Sequence, residues 1–142
     1  MTVDRRRANT ELQVVIELDI QPLKKAIASL QAALARHELA PDDDVVRDGC
    51  IQRFEFTYEL SHKMLKRFLE ATSADPAGVD AMAFPDLIRT GSERGILRSD
   101  WSHWKEFHKA RSITSHVYDE RKPREVFAVI PDFLGEAEHL LR

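Results

Sequence analysis

The chain of 142 residues has few of the residues that break regular structure or cross-link a protein. It contains five glycines, six prolines and a single cysteine, Cys50. One cysteine cannot form a disulfide within the chain, so the sequence predicts a reducing compartment. The scarcity of glycine and proline, together with abundant leucine, alanine and charged residues, favours helices over strands.

Long apolar runs are also missing. No stretch approaches the ~20 apolar residues that a transmembrane helix needs. Three arginines stand at positions 5–7, but neither the apolar region nor the cleavage site of a signal peptide follows them. Hydrophobic residues make up 43% of the chain and charged residues 32%, which is typical of a globular domain. We therefore expect a soluble, cytoplasmic protein.

The common signatures of nucleotide and metal sites are absent from the sequence. It has neither a P-loop nor a G-x-G-x-x-G fingerprint, so the chain is not a nucleotide-binding α/β enzyme on its own. Its histidines form no H-x3-H or H-E-x-x-H pair, and His103 and His108, five residues apart, diverge on a helix. The sequence therefore predicts no metal site and no cofactor.

Apolar residues recur at helical spacing in five segments. The predicted helices cover residues 19–36, 45–71, 85–94, 101–117 and a last segment that begins at Pro123. Asp19 is the predicted N-cap of the first helix, because Pro22 is tolerable only in a first turn. Ser99 or Asp100 caps the fourth helix, and Pro131 should kink or split the last one. This pattern predicts an all-α protein, an up-and-down four-helix-type bundle with one extra short helix.

The start of the chain differs in pattern from the rest. Residues 1–18 are predicted to form an N-terminal extension, and residues 19–142 the helical domain. Residues 1–10 are polar and basic without a period, which is typical of a disordered appendage. Apolar residues alternate with others over 12–18, and a period of two indicates a short extended segment. A helical extension is the alternative.

Residues 109–120, with the sequence KARSITSHVYDE, bring Arg111, His116 and Tyr118 close together. Arginine supplies a permanent cation that can hold a phosphate, and histidine can transfer a proton near neutral pH. RNA cleavage needs little more, because its nucleophile, the ribose 2′-hydroxyl, belongs to the substrate. The alternative is a buried arginine that caps helix ends and a polar histidine at an interface.

Basic charge gathers around these residues, although the whole chain has a formal net charge of −3. Residues 101–124 hold six lysines and arginines but only three acidic residues. This concentration is consistent with a site that binds phosphate, and a solvated helix face is the alternative interpretation.

Arg111 and His116 do not share a face of an ideal helix. Five residues turn the chain by ~500°, which leaves the two side chains ~140° apart. The helix could end within 112–115, since Ser-Ile-Thr-Ser is a poor helix interior. Alternatively, a symmetric dimer could bring the pairs of both copies into one cleft, and both arrangements can hold together.

Other residues of the same predicted helix do share one face. They are spaced three or four apart: Trp101, Trp104, His108, Arg111, Ser115 and Tyr118. We interpret the two tryptophans as core anchors. His108 is interpreted as a packed or capping histidine.

Three segments resemble the nucleotidyltransferase substrate-binding proteins, a family of the HEPN superfamily. They are FEFTYELSHKMLK at 54–66, Ile96-Leu97 followed by Trp101, and RSITSHVYDE at 111–120. The resemblance extends over roughly residues 20–142 and implies a HEPN-like helical bundle that pairs as a homodimer. It also implies a partner, a minimal nucleotidyltransferase that is usually encoded beside such proteins.

The resemblance also implies roles for individual residues. Related HEPN proteins with an R-x4-6-H motif are metal-independent ribonucleases, and in toxin–antitoxin pairs the nucleotidyltransferase silences the toxin by adding AMP to the tyrosine of R-x4-H-x-Y. Arg111 and His116 are thus the implied catalytic pair, and Tyr118 is the implied site of AMPylation. Ser112 and Ser115 support them, and Ser112 stands where the family usually has asparagine.

Two functions of different classes follow from this resemblance. The first is a HEPN ribonuclease toxin that acts on RNA as a homodimer and is neutralised by a cognate nucleotidyltransferase. The second is a non-catalytic subunit that presents substrate to the nucleotidyltransferase or scaffolds it. In the second case the motif binds a nucleotide phosphate or holds the dimer together.

Overall fold

The computed structural model describes the backbone of residues 2–113 and 121–141, and the side chains of 20–113 and 122–141. The described backbone forms six helices and no strand: α1 (Thr2–Leu39), α2 (Asp44–Thr72), α3 (Pro76–Asp80), α4 (Phe84–Glu93), α5 (Trp101–Ile113) and α6 (Arg121–Leu141). The prediction of an all-α helical bundle is confirmed. Helix α3 lies between the predicted helices 45–71 and 85–94, where the sequence predicts none. No helix in the described part of the chain has the length and apolar character needed to cross a membrane.

Helix α1 is longer than the sequence predicts. It runs without interruption from Thr2, so the extended segment expected at 12–18 is wrong, and the helical alternative is the one observed. Alternating and helical patterns are both compatible with a short apolar run, and a helix that is already packed adds residues at little cost. The division of the chain into an extension at 1–18 and a domain at 19–142 stays a prediction.

Two prolines lie inside helices and do not end them. Pro22 lies within α1, so Asp19 is not an N-cap, and Pro131 lies within α6, which is not split. Both rings are exposed to solvent. A proline on the solvent side leaves an unpaired carbonyl four residues earlier on the same side, where water can satisfy it.

The helix ends follow the capping signals of the sequence. The carboxylate of Asp43 accepts a hydrogen bond of 2.9 Å from the backbone N–H of Val45 at the start of α2. The carboxylate of Asp100 accepts one of 3.0 Å from the N–H of Ser102 in the first turn of α5. Gly95, which follows α4, has a φ of 74°, in the left-handed region that favours glycine. The described ends of α2, α4 and α5 therefore have a local chemical cause.

The four longer helices and α4 share one core. Helix α2 packs against α1 and α6, α5 packs against α6, and α4 packs against α5. The largest fully buried apolar side chains are Leu23, Leu30, Phe54, Leu65, Leu69, Ile88, Trp104, Val126, Ile130 and Phe133. Burial of one such side chain is worth about 1.5–3 kcal/mol relative to its exposure. Helix α5 also contacts α2 through long side chains, and the candidate site lies in that region.

Glu136 on α6 is a fully buried carboxylate that does not stand out in the sequence. Its Oε1 accepts hydrogen bonds from the backbone N–H of Arg98, at 2.8 Å, and of Ser99, at 3.2 Å. Both donors belong to the segment that joins α4 to α5. Because an unsatisfied buried N–H group is costly, this carboxylate holds the segment that leads into α5.

We expect Glu136→Ala to lower the free energy of unfolding by about 1–3 kcal/mol, because it removes the acceptor of two backbone N–H groups. Urea denaturation at neutral pH measures the loss. Glu138→Ala, a change of the same kind at a partly exposed position of α6, is the matched control and should have a smaller effect. Equal losses for the two variants would contradict the capping role of Glu136.

Candidate functional site

Trp104 determines the rotation of α5 about its axis. Its side chain is 1% exposed. Its ring lies 5.4–6.2 Å, centroid to centroid, from those of Tyr58, Phe107 and Phe133. The prediction that Trp104 anchors the core is confirmed. Arg111 follows seven residues later, about two helical turns, and therefore leaves α5 on nearly the same side as Trp104.

Arg111 is held across the gap between α5 and α2. Its Nη2 donates a short hydrogen bond to Oε1 of Glu59, and the two side chains form an ion pair. The Arg111 side chain is 30% exposed and that of Glu59 is 54% exposed. The hydrogen bond from Arg111 to Glu59 raises the pKa of Arg111 above its usual value, with a smaller contribution from the charge of Glu55. Arg111 is thus a partly exposed, permanently charged group that is paired with α2.

Glu59 is not among the site residues that the sequence predicts. It lies four residues after Glu55 in α2, so both carboxylates occupy one side of that helix. Two acidic residues on one face are a weak signal, because solvated helix faces commonly carry them. The contact of Glu59 with Arg111, 52 residues away, depends on the packing of the bundle.

The remaining predicted site residues are only partly described. The hydroxyl of Ser112 donates a 3.0 Å hydrogen bond to the carbonyl of His108, one turn earlier on α5. Ser115, His116 and Tyr118 lie outside the described residues. The structure thus brings Arg111 together with Glu59, and the pairing of Arg111 with His116 stays a prediction.

His108 is an exposed residue whose imidazole forms a hydrogen bond with the buried phenol of Tyr58. Its Nδ1 lies 3.1 Å from the hydroxyl of Tyr58. Burial raises the pKa of Tyr58 well above its usual range, although the nearby charge of Arg111 lowers it in part. The phenol therefore keeps its proton and can donate it to Nδ1, which in a neutral imidazole leaves the ring proton on Nε2. The prediction of a packed histidine is confirmed in part: the ring of His108 packs against Phe84 and forms a hydrogen bond with Tyr58, although the residue is exposed to solvent.

A group of aromatic rings surrounds His108 at the surface. We call His62, Phe84, Trp101 and His108 the ring cluster. The ring centroid of Phe84 lies 4.7 Å from that of His62, 5.2 Å from that of His108 and 5.8 Å from that of Trp101. His62, Phe84 and Trp101 are partly buried. Trp101 is therefore a weaker anchor than the sequence predicts.

The described residues include no group of three or more His, Cys, Asp or Glu side chains placed to hold a metal ion. Cys50 is fully buried in the core, and burial raises the pKa of its thiol. A buried thiol of raised pKa is a poor nucleophile. The functional groups of the described site are therefore a guanidinium, a carboxylate, a phenol and two imidazoles.

We expect His62 to titrate below pH 6.5, because burial lowers its pKa first, followed by the charges of Lys66 and His108. Lys66→Met should raise that pKa, because it removes one positive charge. Lys63→Met is the matched control, since Lys63 is exposed on the same helix and is not among the causes of the shift. NMR titration of the His62 ring measures both effects, and a wild-type midpoint above 6.5 would contradict burial as the cause.

The lowered pKa of His62 also makes the free energy of unfolding depend on pH. Because the folded chain binds the His62 proton less readily than the unfolded chain, the unfolded chain takes up the proton first as the pH falls. The contribution of His62 to stability is therefore complete above pH 6.5 and is lost as the pH falls through the lower pKa of the folded state.

Known proteins share this fold and much of this sequence. Residues 18–142 match the family described as nucleotidyltransferase substrate binding protein like. A Haemophilus influenzae protein named probable ribonuclease HepT is 36% identical over 133 residues, which cover 88% of this chain and 90% of that protein. A solved structure from the same organism, described as the fold of a substrate binding domain of a nucleotidyltransferase, has a TM-score of 0.79 and 35% identity, covering 86% of this chain and 96% of that one. The chain therefore belongs to the nucleotidyltransferase substrate-binding protein family, as the resemblance in its sequence predicts.

Proposed function

We propose that this chain is a HEPN-type ribonuclease that cleaves RNA without a metal ion and is neutralised by a cognate minimal nucleotidyltransferase. The observation that carries the proposal is the position of Arg111, a partly exposed guanidinium that is oriented from α2. Membership of the family and the similarity to a probable ribonuclease support it.

In the proposed reaction, His116 and Arg111 act on one phosphodiester. His116 takes the proton of the ribose 2′-hydroxyl or delivers a proton to the leaving 5′-oxygen. The 2′-oxygen forms a bond to phosphorus as the bond from phosphorus to the 5′-oxygen breaks, which yields a 2′,3′-cyclic phosphate and a 5′-hydroxyl. Arg111 stabilises the extra negative charge of the transition state. No metal is needed, because arginine supplies the positive charge.

Glu59 is a positioning residue in this proposal. A carboxylate that binds Nη2 directs the plane of the Arg111 guanidinium, and directed donors stabilise a phosphate better than freely rotating ones. The pair is partly solvated, and exposed ion pairs are worth only about 0–1 kcal/mol. Glu59 therefore orients the guanidinium and adds little to the stability of the fold.

The proposed active form is a homodimer. On one helix Arg111 and His116 diverge by ~140°, whereas a two-fold axis near the motif brings the pairs of both copies into one cleft. The nucleotidyltransferase partner is proposed from the family description and from the description of the similar solved structure.

A second candidate function is a non-catalytic subunit that presents substrate to the nucleotidyltransferase. The similar structure described as a substrate binding domain favours it. In that case Arg111 binds a nucleotide phosphate and no RNA is cut. Expression of this chain without its partner separates the two functions: growth arrest that is relieved by His116→Ala supports the ribonuclease, and unchanged growth supports the subunit.

Arg111→Ala and His116→Ala should each reduce RNA cleavage by at least about 100-fold while the melting temperature stays nearly unchanged. Arg111→Lys should not restore cleavage, because one ammonium group cannot reproduce the planar fork of donors. Arg89→Ala is the matched control, since Arg89 is an exposed arginine paired with Asp86 on α4, and it should cleave at the wild-type rate. Cleavage should persist in EDTA, and loss on chelation that a divalent metal restores would refute the metal-free mechanism.

Tyr118 is the proposed site of AMPylation by the nucleotidyltransferase. AMP on this tyrosine brings a phosphate into the basic segment around Arg111, where the phosphate of RNA is proposed to bind. Intact-mass spectrometry after co-expression should show added AMP on the wild-type chain and none on Tyr118→Phe. AMP that remains after Tyr118→Phe, or an unmodified wild-type mass, would contradict this assignment.

A further inference from the structure

The ring cluster is a partly exposed feature that the proposed cleavage chemistry does not use. Trp101 keeps part of its surface in contact with solvent, whereas Trp104, one turn later, is 1% exposed. His62, Phe84 and His108 also keep exposed surface. Tryptophan is enriched at binding sites, where part of its ring is packed and part contacts solvent.

The ring cluster is continuous with Arg111. His108 precedes Arg111 by three residues on α5, so the two side chains are neighbours on that helix. Tyr58 interacts with both residues. Its hydroxyl forms a hydrogen bond with the ring of His108, and its phenol interacts electrostatically with Arg111. The ring cluster therefore begins one turn from the guanidinium.

Positive charge lies along the same edge. Lys105 is exposed and lies one turn from both Trp101 and His108. The acidic residue of this helix, Glu106, lies ~140° from Trp101 around the axis and is thus on another face. The pKa of His62 is lowered, so its ring is neutral at pH 7 and presents an uncharged face. The ring cluster thus lies between Lys105 and the Arg111–Glu59 pair. Neutral rings next to a guanidinium complement a ligand that has both an aromatic ring and a phosphate.

We infer that the ring cluster is a base-stacking subsite, which binds a nucleobase of the RNA next to the phosphate held by Arg111. The inference rests on the proposed function, because it takes RNA as the ligand. Stacking of a base on an aromatic side chain is tolerant of sequence. The subsite therefore selects for an unpaired base at a fixed distance from the cut and not for one particular base.

Binding of a cleavage-resistant RNA tests the subsite. A short oligonucleotide with 2′-O-methyl groups lacks the nucleophile, so its affinity can be measured by fluorescence anisotropy without cleavage. Trp101→Leu should weaken binding by about tenfold, and Trp101→Phe, which keeps a ring, should stay within about threefold of wild type. Circular dichroism and the melting temperature verify that both variants are folded.

Abasic oligonucleotides are the matched control in which the ligand is changed and the protein is not. The series consists of oligonucleotides that each lack the base at one position. The oligonucleotide that lacks the stacked base should bind wild type and Trp101→Leu with equal affinity, because the stacking partner is already missing. Wild-type tryptophan fluorescence should be quenched by the intact oligonucleotide. Trp101→Phe, which retains only the buried Trp104, should lose that quenching.

The outcomes separate this inference from the proposed function. Cleavage by wild type, with equal affinity of wild type and Trp101→Leu for the intact oligonucleotide, would overturn the subsite and leave the ribonuclease intact. A wild-type chain that neither binds nor cleaves RNA would overturn both. If Trp101→Leu converts a dimer to a monomer in light scattering and the abasic series has no effect, the ring cluster is a contact between copies and the inference is wrong.

Discussion

Burial of Trp104 is the constraint on which the candidate site depends. The indole is enclosed by aromatic rings from α2, α5 and α6, so α5 cannot rotate without exposing one of the largest side chains of the core. Full burial of such a side chain is worth several times the energy of an exposed ion pair. Core packing therefore directs Arg111 toward α2 and leaves His108 at the surface. Glu136 supports this arrangement from α6, because it holds the segment that enters α5.

The site combines a buried phenol that orients a histidine with a partly solvated ion pair. Tyr58 is buried and keeps its proton, and it orients an exposed histidine. Arg111 and Glu59 meet near solvent, where their ion pair orients the guanidinium and adds little to stability. Packing of the core thus positions the functional groups, and the polar contacts at the surface orient them.

The sequence predicts most of the fold and less of the site. Helix α2 is predicted at 45–71 and is found at Asp44–Thr72, because a long apolar stripe and an acidic first turn define it locally. The prediction for 12–18 is wrong, since a short apolar run fits two periods equally well. The pairing of Arg111 with Glu59 joins residues that are 52 positions apart, and helical periodicity relates only residues of one helix. The same limit explains why the sequence does not predict the hydrogen bond between His108 and Tyr58.

The central claim is that this chain alone cleaves RNA by attack of the neighbouring 2′-hydroxyl. Analysis of the ends of RNA fragments that the purified chain produces in EDTA tests it most directly. The account predicts fragments that end in a 2′,3′-cyclic phosphate and begin with a 5′-hydroxyl. Intact RNA, or fragments with a 3′-hydroxyl and a 5′-phosphate, would contradict it.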